Sequence, residues 1–64
     1  MKIKLKKRLL KFKTGEIFEY DSNWGTWTRL KTKKEYTTRG DIEEGEIVLL
    51  LNFVSNLISV CEKV

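Results

Sequence analysis

A chain of 64 residues with one cysteine, no histidine and a net charge of +4 has room for one domain and one thin core. A chain this short buries only about 60% of the surface that it exposes when unfolded, and neither an internal disulfide nor a Cys/His zinc site is open to it as a staple. Its stability has to come from packing, within one copy or against a second.

The charge is unevenly spread. Up to Arg39 the chain carries twelve of its thirteen Lys/Arg against Glu16, Glu19, Asp21 and Glu35, a balance of +8. From Gly40 onward only Lys63 opposes Asp41, Glu43, Glu44, Glu46 and Glu62, a balance of −4. Such asymmetry points to a one-sided interaction surface.

Residues 2–6 alternate Lys-Ile-Lys-Leu-Lys and residues 10–13 alternate again, the pattern of a half-buried strand. The phase slips at 7–9, which predicts a bulge or bend there. Leu5, Leu9 and Phe12 also lie at helical spacing among lysines, so a competing reading makes 1–13 a cationic amphipathic helix on a membrane surface. Ile3 and Leu10 fall on the wrong side of that helix. Thr14-Gly15 predicts a hairpin turn into a strand at 16–20, and the turn formers at 21–23 lead into a third strand at 26–32, dense in β-branched and aromatic residues. Lys33-Lys34 turns the chain towards a short fourth segment at 35–38.

The clearest element is a helix at about 44–62. Ile47, Leu50, Leu51, Val54, Leu57, Ile58 and Cys61 recur at helical spacing. Asp41 with Glu44 matches a capping box, and the acidic cluster suits the positive end of the helix dipole. Leu49, Phe53 and Val60 widen the apolar arc to about 200°, against the ~100° that a surface helix needs. Those three residues are the candidate protein interface, and the expected assembly is a homodimer through this helix. The fold expected is therefore α+β, with a three- or four-stranded antiparallel β-meander inside 2–38 and one C-terminal amphipathic helix packed on it. The whole of 1–64 is one domain.

Catalytic chemistry is poorly supplied. General-base work would fall to carboxylates, which sit at the helix start or beside lysines. Cys61 lies on the apolar stripe, where a small core residue is expected rather than a nucleophile. The glycines are scattered and form no phosphate loop, and no metal-ligand spacing is present. The expectation is a binding protein with no enzyme activity, metal or cofactor. The most apolar stretch, 47–58, is too short to span a bilayer and the lone thiol fits a reducing compartment, so a cytoplasmic location is expected.

If Ile3, Leu5, Leu10 and Phe12 face the helix, then Lys2, Lys4, Lys6, Lys11 and Lys13 project from the other side. With Leu30 and Thr28 also inward, Trp27, Arg29 and Lys31 join them, with Lys33 and Lys34 at the strand end and Trp24 in the preceding loop. A basic sheet face with tryptophans in it suits nucleic acid, DNA or RNA, because cations neutralise phosphates and indoles stack on bases. Lysine predominates and lacks the arginine fork that reads guanine, so little sequence specificity is expected. The alternative is a regulator or inhibitor, of the kind that viruses and mobile elements encode, docking on an acidic surface of a larger enzyme or assembly through Leu49, Phe53, Val60 or Trp24.

Overall fold

A computed structural model describes all residues, Met1 to Val64. Along the chain run β1 (Lys2–Leu5), β2 (Ile17–Asp21), β3 (Thr26–Arg29), β4 (Lys34–Tyr36), α1 (Ile42–Val54) and β5 (Cys61–Lys63). The strands form one sheet in the order β4-β3-β2-β1-β5, every neighbouring pair antiparallel. The helix packs against β3 and β4 on one face of it. The expected α+β meander with a packed helix is therefore present, with a fifth strand added after the helix.

Alternation decides which side chains go inside. Ile3 and Leu5 of β1, Phe18 of β2, Trp27 of β3 and Tyr36 of β4 turn to the helix side and are buried, joined there by Ile47, Val48 and Leu51 of α1. The strand at 2–5 rules out the amphipathic membrane helix at 1–13.

A bulge or bend was expected at 7–9: the chain bends at Lys6-Lys7, and the bulge lies elsewhere, opposite Leu5. Leu5 opposes two residues, since its N–H donates to the Glu16 carbonyl at 2.9 Å and its carbonyl accepts from the Gly15 N–H at 2.9 Å. Gly15 sits at φ +96°, so this is a β-bulge of the glycine-led type. Between them, residues 7–14 leave the sheet and fold over its helix side. Leu9 and Phe12 exchange both backbone bonds, at 2.9 and 2.8 Å, around a two-residue turn. That turn puts Phe12 into the core, edge-on to Phe18 at 4.9 Å and to Tyr36 at 6.0 Å. It leaves Leu10 at φ +54° and exposed, so Leu10 is not the core residue expected; half-buried Leu9 packs there instead.

The helix begins as its capping signal implies. Asp41 is the N-cap: its carboxylate accepts from the Glu44 N–H at 2.8 Å, and the Glu44 carboxylate accepts from the Asp41 N–H. It ends at Val54, eight residues short of the expected 62. The chain then turns back through Leu57 N–H to Val54 O and Cys61 N–H to Leu57 O, and lays β5 along β1. Helical periodicity at 57, 58 and 61 competed with the open edge of β1, whose backbone groups β5 satisfies. Leu57 and Ile58 are consequently exposed rather than core. Cys61 is buried, but as a strand residue opposite Leu5.

Candidate nucleic-acid interface

The outer sheet face is not the basic surface expected. Register sets Lys2 beside Glu19, Glu19 beside Thr28 and Thr28 beside Glu35, in one row across four strands. Lys4 stands between Ile17 and Glu62, and Asp21 stands beside Thr26. Four carboxylates thus share this face with two lysines, and Lys4 has an acid for a neighbour.

The phase of β3 is also the reverse of the expected one. Trp27 is 1% exposed in the core, its indole N–H donating to Asn52 Oδ1 of the helix at 2.8 Å and its ring 4.9 Å from that of Tyr20. Both phases of this strand offer an apolar residue, Trp27 in one and Leu30 in the other. The larger area and the indole hydrogen bond decide for Trp27, while Leu30 falls in the turn. Trp27 cannot stack on a base.

Arg29 shares Trp27's face. It lies over the Phe12 ring, 5.3 Å from its centroid, and forms a two-pronged ion pair with the nearly buried Glu16. The guanidinium hydrogen bonds hold the Glu16 carboxyl below the usual carboxylate range, against the upward push of its burial, with help from Lys31 and Lys13. Arg29 is in turn raised by Glu16. It is a structural cation that ties the 6–16 excursion to β3, rather than a free binding group.

Arg39 and Lys63 lie towards one end of the sheet, and most of the remaining cations gather at the other. Leu5, Ile17, Arg29 and Lys34 mark that end on four adjacent strands, and both basic connections lie there: 6–16 with Lys6, Lys7, Arg8, Lys11 and Lys13, and the turn 30–33 with Lys31 and Lys33. The two meet in a shallow cleft whose sides include Lys13, Gly15, Leu30 and Lys31. Glu16 is the sole carboxylate in these connections, and Arg29 occupies it. Lys11 is paired with Glu43 at 2.7 Å, which raises its pKa. Lys6, Lys7, Arg8, Lys13, Lys31, Lys33 and Lys34 have no acidic partner, across a front of about 14 Å from β1 to β4 at ordinary strand spacing.

Lys7 and Arg8 were missed as site residues because the run Lys6-Lys7-Arg8 interrupts the alternation and so carries no facing. The two non-glycine residues at positive φ, Leu10 and Lys33 at +54° and +63°, lie one in each basic connection. Such strain concentrates at binding and catalytic segments.

Trp24 is 68% exposed, but it belongs to the turn between β2 and β3, at the opposite end from these lysines and about 13 Å away along β2. On the helix, Leu49 and Phe53 are exposed as expected, together with Ile42, whereas Val60, expected on the same helical flank, lies beyond the helix in the turn before β5 and is half-buried. The Cys61 thiol is pushed up in pKa by burial and donates to the Val54 carbonyl. No three His, Cys, Asp or Glu side chains converge as metal ligands would, and no helix is long and apolar enough to cross a membrane. Compared with known protein families, characterised proteins and solved structures, the chain matches none.

Proposed function

We propose that this protein binds nucleic acid without catalysing a reaction, through the basic end of its sheet and with little sequence preference. One observation carries the reading: two separate connections and the first residue of β4 converge to present seven Lys/Arg with no acidic partner, beside an outer face that is acidic. A phosphate backbone is the polyanion such a front fits, and each neutralised phosphate releases counterions. Lysines on loops supply point charges rather than base-reading forks, so contacts go to the backbone. A reducing, cytoplasmic location accords with the free, buried thiol.

The test is fluorescence anisotropy of labelled single- and double-stranded DNA and RNA. With about five phosphates contacted on duplex, affinity should fall roughly 500-fold between about 50 and 200 mM salt. The double variant Lys13→Glu, Lys31→Glu should weaken binding to all sequences alike and flatten the salt slope, whereas Lys4→Glu on the outer face should change little. Salt-independent binding, or equal loss in all variants, would sink the reading.

The line Ile42, Leu49, Phe53 supports a second reading, docking of the helix on another protein surface, a second copy of this chain included. Its exposed apolar side chains recur at the spacing of a helix–helix seam.

A further inference from the structure

The exposed tryptophan lies beside a polar concavity that the basic end does not explain. It opens on the outer sheet face, at the end away from the lysines, with a volume of about 360 Å³. Its floor is Thr26 and Thr28, both half-buried on β3. Asp21 of β2 and Glu35 of β4 flank them as cross-strand neighbours, and Trp24 and Arg39 stand at the rim.

The site is held in shape by its own backbone. Asp21 closes the turn that carries Trp24, its carbonyl accepting from Gly25 N–H at 2.7 Å and its carboxylate from Asn23 N–H at 2.9 Å. Gly25 takes φ +66° there, a conformation that glycine adopts without strain. On the other side Thr37 Oγ1 accepts from the Arg39 N–H at 3.3 Å. The side-chain polar groups of Glu35, Arg39 and Trp24 make no hydrogen bond within the chain, and both ion pairs of the molecule lie elsewhere.

We infer that this concavity is a carbohydrate subsite, taking one or two rings of a neutral oligosaccharide with a sugar face laid on Trp24. The donor–acceptor balance selects that class. Carboxylates of Asp21 and Glu35 accept from hydroxyls, Arg39 donates, and threonine hydroxyls do both. A polyol offers donors and acceptors in like number. An anionic ligand meets two carboxylates against one guanidinium, with Glu19, beside Thr28 in the same row as Glu35, adding to the repulsion. A cationic ligand would use Trp24 and the carboxylates but leave Arg39 opposed to it. An exposed indole bordered by polar groups matches the pyranose ring, whose C–H face is apolar and whose rim is not. This inference does not rest on the nucleic-acid reading, since the two sites lie at opposite ends of the sheet.

The test is proton–nitrogen correlation NMR of the intact chain, in which the two indole N–H signals report separately on Trp24 and Trp27. The probes are neutral hexasaccharides of β-1,4-glucose, β-1,4-N-acetylglucosamine, α-1,4-glucose and β-1,4-xylose, at up to about 10 mM, enough to saturate most of a site with a Kd of about 1 mM. Expected is a saturable shift of the Trp24 indole and of amides in 21–28 and 35–39, with Trp27 still, from at least one of the four. It should be unchanged by salt, lost in Trp24→Ala and weakened several-fold in Glu35→Gln. Trp24 is mostly exposed, so the alanine variant keeps its fold, and the dispersion of its own spectrum verifies that. Absence of saturable shifts with all four hexasaccharides overturns the inference. So does a response confined to a trimethyl-lysine peptide or to mononucleotides.

Discussion

Lys33 and Glu16 show what single residues do at the basic end. A left-handed backbone costs an L-residue about 1–2 kcal/mol, and Lys33 holds φ +63° in an exposed turn. After the extra chain entropy that glycine loses, Lys33→Gly should stabilise the fold by about 0.5–1 kcal/mol and raise Tm by roughly 2–8 °C. A fall in Tm would mean that the lysine side chain makes contacts worth more than the strain. Glu16 links stability to pH. Its carboxyl is depressed below the ordinary 4.5, first by its hydrogen bonds from Arg29, so its contribution is fully present above that pH and fades as pH falls through the lower folded value. Thermal melts from pH 6 down should show a loss of Tm setting in below about 4.5 that Glu16→Gln blunts. If wild type and variant lose Tm in parallel, the pair does not govern acid stability.

At the scale of elements, the helix carries the main surplus. It buries Ile47, Val48, Leu51 and Val54 on the sheet and leaves Ile42, Leu49 and Phe53 in solvent. If a second copy covers that line, sedimentation equilibrium should show wild-type self-association and Phe53→Asp as a monomer, with the variant still binding nucleic acid backbone through each chain. A wild-type protein that stays monomeric at high concentration removes the second copy as the occupant. The start of this helix was legible because the capping box is a local device, spelled out by Asp41 and Glu44 within four residues. Its end was not, since nothing in 55–63 breaks helical periodicity. Pairing with β1, more than fifty residues away in the chain, overrides it.

Across the whole molecule, charge is sorted by end and by face. The N-terminal excess of cations lies largely in the two connections at one end, while the carboxylates of β2, β4 and β5 line the outer face. Alternation along β1 named the correct buried residues, Ile3 and Leu5, and placed Lys2 and Lys4 outside. It could not say that Glu19 and Glu62 would stand beside them, because cross-strand neighbours depend on register. Lys6, Lys11, Lys13, Lys31, Lys33 and Lys34 were named from the sequence as cations of the site, and they do lie at that end of the sheet, the first five in the two connections and Lys34 at the start of β4, though Lys11 is taken up by Glu43. They meet at one end of the strands rather than across the face of the sheet. Composition, alternation and capping are local properties, so the class of fold, most of the core and the charge difference between the two halves of the chain follow from the sequence. Tertiary structure alone decided the phase of β3, the burial of Trp27, the fifth strand and the meeting of the basic connections, because each depends on which distant backbone a segment pairs with and how much area that pairing buries.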